Sequence, residues 1–312
     1  VNISFGILLY SMPGNLPLPA AWAAAGIFVA IVLLLVILYR QGVCSSVGAR
    51  AGLRFYFAGP LFFLVGILMA LSMLLQWPAP GQFFGQLEAH VHANVWGFLA
   101  LIVAGFLLDH IPAYTGHPLR WPQLVPATSW LLISGASGLV AGPWLALLPL
   151  TILGIAIYVV GTVLLLANLA GTMLAAHSWT PNLVHILVAY LWMVVPAFVA
   201  PTILALTGHL PIGSVETSAV SGLVAGWILQ IVIAAFPLRL REVQPHNAGR
   251  DGWWFSVVTL NLGVLALWLE AATSNPTLPT ALGYTLIVLG FLPPLLTILR
   301  RVFARRAATP FA

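Results

Sequence analysis

The chain contains no lysine, six acidic residues and one cysteine among 312 positions. Only 5% of its residues are charged, where a soluble domain carries roughly 25%. That leaves too few polar side chains to cover a water-facing surface, which excludes a soluble globular protein. The lone cysteine, Cys44, excludes an internal disulfide and a cysteine-based metal cluster. All 11 positive charges are arginines. They form no basic stripe interleaved with aromatics, which argues against a nucleic-acid partner. Nucleotide-binding loops, Ser-His-Asp groupings and zinc-helix spacings are also missing.

What fills the sequence is apolar: 61% of residues, with a mean hydropathy of +1.06. About 20 apolar residues cross a bilayer as a helix. Nine stretches meet that need, at roughly 21–39, 54–75, 89–110, 124–143, 146–170, 183–206, 217–236, 253–271 and 281–299. They are continuously apolar rather than alternating, which favours helices over a closed barrel. The expected fold class is all-α: a polytopic transmembrane helix bundle of about nine spans, forming a single integral membrane domain over 1–312 with the lipid bilayer as its first partner. A short apolar segment at 1–12 reads as a re-entrant piece or a trimmed terminus.

The arginines orient the bundle. Arg40, Arg50 and Arg54 lie between the first two spans, and Arg120 follows the third. Arg239, Arg241 and Arg250 lie between the seventh and eighth, and Arg300, Arg301, Arg305 and Arg306 follow the ninth. With nine spans all of them fall on one side, which the positive-inside rule makes cytoplasmic. The N-terminus is then outside and the C-terminus inside, with a bacterial inner (plasma) membrane as the expected location. The loop after the fifth span carries no arginine and is the weakest part of this topology.

A faint internal echo accompanies the spans. The third ends in Pro112, Thr115, Gly116, His117 and Pro118, the sixth near Pro201, Thr207, Gly208, His209 and Pro211. The seventh repeats the Gly97 to Pro112 separation at Gly222 and Pro237. An old duplication accounts for this; so does chance, because Gly and Pro punctuate many membrane helices.

Eight histidines carry the chemical information, since ionisable residues at membrane depth are expensive and mark function by default. His90 and His92 open the third span. Two positions on a helix correspond to about 200° of rotation, so the two imidazoles point to opposite sides and do not chelate one ion. Two separate centres either side of one helix fit this spacing, and imidazole is a common axial ligand of haem iron. Helix-end histidines bonded to headgroups or to neighbouring helices fit it equally.

The run His90-Val-His92-Ala-Asn-Val-Trp-Gly97-Phe98, continued by Ala104-Gly105-Phe106, Pro112, Thr115-Gly116 and Pro118-Leu119, resembles the His-x-His helix of haem-copper oxidase catalytic subunits. It resembles more closely the first conserved helix of NnrS, a family of haem- and copper-containing membrane proteins linked to nitric oxide. The likeness covers about a tenth of the chain. It implies that His90 faces a reactive or second metal centre and that His92 is an axial ligand of haem b, with copper as a further metal. His185, followed by Pro196, resembles the oxidase helix that supplies the other low-spin haem ligand. The departures are also informative. The chain has no His-His pair and no Trp-x-x-x-His-Pro-Glu segment, and Ala93 stands where NnrS carries an acid. Oxygen reduction to water is therefore not expected.

The topology sets His92 near the outer face and His185 near the cytoplasmic one, and a single haem does not bridge most of a core about 30 Å thick. Either the span count between 110 and 185 differs or the two serve different sites. The expected cofactor-binding residues are His90, His92 and His185, and the expected metal ligands His90, His92 and His209, the last reading equally as a water-facing loop residue. His110, His117 and His177, with Asp109, read as a cytoplasmic-side pocket or as interfacial polar residues, and His246 as solvated. Glu88, Glu216 and Glu270 either orient imidazoles or mark the helix–water boundary. Arg120 faces a lipid phosphate or a haem propionate. Gly222 and Gly226 permit close helix packing.

Two functions remain ahead of a third. The first is a membrane-embedded haem b protein, with or without copper, in electron transfer or nitric oxide/diatomic gas metabolism; it is a candidate haem-dependent oxidoreductase and needs an electron donor. The second is a non-enzymatic membrane subunit or assembly factor of a respiratory complex. A small-solute transporter ranks last, because no charge sits mid-span.

Overall fold

A computed structural model describes residues 2–11, 14, 16–44, 50–207, 220–234, 253–272 and 277–308. Every regular element among them is helical. Six helices are long and apolar enough to cross a membrane: Pro17–Arg40, Leu53–Leu74, Gln82–Thr115, Pro122–Trp144, Leu148–Ala175 and Pro279–Thr297. The first five and the last of the expected spans coincide with these. The expected stretches 183–206, 217–236 and 253–271 are also helical where they are described, with apolar portions over Pro181–Pro196, Gly222–Ala234 and Trp254–Leu269. Large apolar side chains such as Leu33, Ile152, Val163, Leu262 and Val288 lie on the outside, as a lipid environment permits.

The chain divides into two compact units, Val1–Ala176 and His177–Ala312. In the first, α1 (Asn2–Ser11) and α2 (Pro17–Cys44) precede α3 (Leu53–Leu74). A long helix follows: α4 (Gln82–His92), a π-helical segment π1 (Ala93–Leu99) and α5 (Ala100–Thr115). The unit ends with the hairpin α6 (Val125–Trp144) and α7 (Leu148–Ala175).

Lipid tails are as apolar as leucine, so burial does not drive these helices together; close van der Waals approach at small residues does. Gly52, Gly59 and Gly66, at heptad spacing, turn α3 towards the long helix. A Cβ at Gly59 would meet Ile102, one at Gly66 would meet Asn94, and one at Gly97 would strike Phe62. Across α4 and α6, the amide of Gly81 donates to the Trp144 carbonyl at 2.8 Å.

The second unit contains α8 (Pro181–Thr207), a second π segment π2 (Gly222–Leu229), α9 (Trp253–Ala272) and α10 (Thr277–Ala308). It repeats the packing of the first. In α6 and α7, Gly135 abuts Tyr158, Leu132 abuts Gly161 and Gly154 abuts Leu139. In α9 and α10, Gly263 abuts Ile287, Leu260 abuts Gly290 and Gly283 abuts Leu267. All six residues are displaced along the sequence by almost the same amount. The π segments obey the same shift: Gly97 in π1 faces Phe62 of α3, and Gly226 in π2 faces Trp192 of α8. The structural repeat thus pairs the third expected span with the seventh, in a register that matches Gly97 with Gly226 rather than with Gly222. At the same shift the sequence carries Ala219 and Ser221 in place of His90 and His92.

Candidate functional site

The last turn of α4 ends at His92 and the helix widens at once into π1. Single π turns inside α-helices occur frequently at functional sites. Widening disturbs the regular backbone ladder, and a neighbour compensates: the Tyr158 hydroxyl of α7 donates to the Trp96 carbonyl at 3.2 Å.

His90 and His92 leave this helix in different directions, as their spacing predicts. Nδ1–H of His90 donates to the Gly66 carbonyl of α3 at 2.8 Å. Nδ1–H of His92 donates to the Leu139 carbonyl of α6, also at 2.8 Å. A carbonyl only accepts, so both rings hold their proton on Nδ1 and carry a lone pair on Nε2. The small surroundings permit this: Ala89 and Ala93 are fully buried and pack with Val140. Trp96 lies edge-on to the His92 ring at 5.1 Å, its own Nε1 buried without a hydrogen-bond partner.

Asn94 is a member of this site that the sequence reading passed over. Its Nδ2 donates to the His90 carbonyl at 2.8 Å and lies 3.3 Å from His90 Nε2. Gly66 leaves the room it occupies. The available signal was an uncharged polar residue one turn after a histidine in an apolar run.

The third predicted ligand, His185, belongs to α8 in the second unit. It is 1% exposed, and neither ring nitrogen has a hydrogen-bond partner among the described residues. Gln230, directly after π2 and equally buried, donates from Nε2 to the His185 carbonyl at 3.0 Å, while its Oε1 is unpartnered. A buried polar atom without a partner is costly. Gln230 is a second residue the sequence reading missed, although it interrupts an otherwise apolar run.

The expected pocket at Asp109 resolves into separate local bonds. The Gly52 amide donates to Asp109 Oδ1 at 2.9 Å, tying the start of α3 to α5. His110 stacks on Phe106 and donates to its carbonyl, and His117 donates to the Pro118 carbonyl. His177 is exposed. At Arg120, the backbone amide donates to Thr172 Oγ1, and Asn168 bonds both the amide and the carbonyl of Trp121. His209, His246 and Glu216 lie outside the described residues. Among the described residues no group of three His, Cys, Asp or Glu side chains is placed to hold a metal ion. Comparison of the chain with protein-family models, curated proteins and solved structures returns no match.

Proposed function

We propose that the chain is a membrane-embedded haem b protein acting in electron transfer or in nitric oxide/diatomic gas metabolism, with His92 as an axial ligand. One observation carries this reading. Each imidazole of the His90/His92 pair has its Nδ1 proton committed to a backbone carbonyl, which fixes the ring and turns Nε2 of His92 to a metal, whereas Nε2 of His90 meets the Asn94 amide at 3.3 Å. Metal-ligating histidines are held in this way. When bound, haem iron supplies one-electron redox chemistry and a position for a diatomic ligand. The protein's part is to orient the rings through Gly66 and Leu139 and to exclude water with Ala89, Ala93 and Val140. His185, a buried imidazole whose nitrogens have no partner among the described residues, is a proposed haem ligand within the second unit. Copper at His90 requires further ligands. The accompanying topology is nine spans with the N-terminus outside and the C-terminus inside a bacterial inner membrane, with an electron donor or respiratory-complex subunits as partners.

Purified protein is expected to show a Soret band and a pyridine haemochrome. His92→Ala should lower bound haem about tenfold or more, since changes even to residues behind the ligands cost that much in metal affinity. Colourless protein from haem-replete cells would refute the reading. It would favour instead a non-enzymatic subunit or assembly factor.

A further inference from the structure

A groove of about 390 Å³ opens at the end of the first unit that carries the loop between α3 and α4. Met73, Trp77 and Phe83 form its apolar walls, with the side chains of Gln76 and Gln82 at its rim and Gln86 on its floor. Trp77 and Phe83 are half exposed, whereas Gln86 is only 4% exposed. No ionised side chain lines the groove, so it offers nothing to balance a charged guest. Amides, an indole and a thioether suit an uncharged solute that forms hydrogen bonds.

Both rim glutamines are strained. Gln76 has φ 55° and Gln82 φ 52°, in the left-handed region that residues with a Cβ seldom adopt. At Gln76 this conformation closes α3, with the Trp77 amide bonded to the Ser72 carbonyl, and at Gln82 it opens α4. The floor is latched as well. The Ser72 hydroxyl of α3 shares its proton between the Met69 carbonyl at 2.8 Å and Gln86 Oε1 at 3.0 Å, and Gln86 Nε2 donates to the Trp77 carbonyl at 3.1 Å. Directly below comes His90, four residues on and therefore on the same face of α4. The bonds to α3 agree, with Gln86 tied at Ser72 and His90 at Gly66. Gln86 thus lines the groove one helical turn before the partly exposed imidazole of His90.

We infer that this groove is the port through which small uncharged, hydrogen-bonding solutes reach His90, and that Gln86 is its gate. The inference rests on the reading of His90 as the reactive imidazole of the first unit, but the port is measurable with or without a cofactor. In full-length protein that purifies with haem, the readout is the association rate of neutral imidazole, followed at the Soret band. In protein without haem, it is the rate at which diethyl pyrocarbonate modifies His90, read by peptide mass spectrometry. Haem content alone then decides the function proposed above, and the ratio of variant to parent rates decides the port.

Gln86→Ala removes both latching bonds and should raise the rate about tenfold. Ser72→Ala removes one and should raise it less. Ala79→Trp, which fills the groove, should lower it. Modification of His110, outside the groove, should stay constant throughout and report an intact fold. If Gln86→Ala also accelerates His110, that variant has loosened the unit and Ser72→Ala takes its place. An unchanged rate in Ser72→Ala, or a rate in Ala79→Trp equal to the parent's, overturns the inference.

Discussion

Among the described residues, four helices run into a residue in the left-handed backbone region, and one of those four residues is glycine. Gly116 follows α5 with φ 67°, whereas Gln76, Ala146 and His177 follow α3, α6 and α7 with φ 55°, 56° and 49°. The closing bonds are the usual ones for such a turn: the Leu147 amide donates to the Gly142 carbonyl and the Trp77 amide to that of Ser72, both at 2.8 Å. A Cβ in this conformation costs roughly 1–2 kcal/mol. Ala146→Gly should therefore stabilise the protein by about 1 kcal/mol, visible as a thermal midpoint raised by a few degrees in detergent. The same change at Ala136, fully buried in the middle of α6, should lower it. A midpoint that falls in Ala146→Gly rejects the strain. At this scale the sequence disclosed the histidines, because their cost in an apolar run is a property of the residue. It could not disclose Gly66 or Leu139, whose part is played by a carbonyl that every residue has. Nor could it disclose Asn94 or Gln230, whose importance depends on what a second helix brings alongside.

At the scale of the element, the α6–α7 and α9–α10 hairpins are two versions of one solution. The obstacles to a side chain differ between them. A Cβ at Gly154 would lie 2.7 Å from the backbone of Gly138 and Leu139, which cannot step aside. At Gly283 the nearest atom, also at 2.7 Å, belongs to the flexible Leu267 side chain. Gly154→Ala should cost about 1–3 kcal/mol and clearly more than Gly283→Ala; thermal melts that rank the two in the opposite order would contradict the packing. Gly6, with nothing within 4 Å of an added Cβ, should tolerate alanine. The repeat was only faintly legible in sequence. The glycines are individually common in membrane helices, and the echo drawn from Pro, Thr and Gly after the third and sixth spans pointed to a different alignment. Only the contacts show which glycine matches which. The π segments were not legible at all, because a π turn has no composition of its own.

For the whole molecule, composition was enough to yield an all-helical membrane protein, and the reason is physical. With 5% charged residues, the only surface this chain can present is one suited to lipid. Span count is harder, because the other three expected stretches are described as apolar helix only over Pro181–Pro196, Gly222–Ala234 and Trp254–Leu269. The proposed nine spans and the six that satisfy length and apolarity differ in parity, and that makes the matter testable. Periplasmic and cytoplasmic reporters placed at residue 14 and after residue 308 should report opposite faces of the membrane. Reporters on one face would refute nine. The two π segments bear on the history of the gene as well. A π segment holds an additional residue in a helix that is otherwise regular on both flanks. Elsewhere in such a helix, losing one codon swings everything beyond it by about 100°. Within Ala93–Leu99 the same loss relaxes a bulge and leaves α5 facing its old neighbours. The stretch beside His90 and His92 is thus where this helix can shed or regain a residue in a single event.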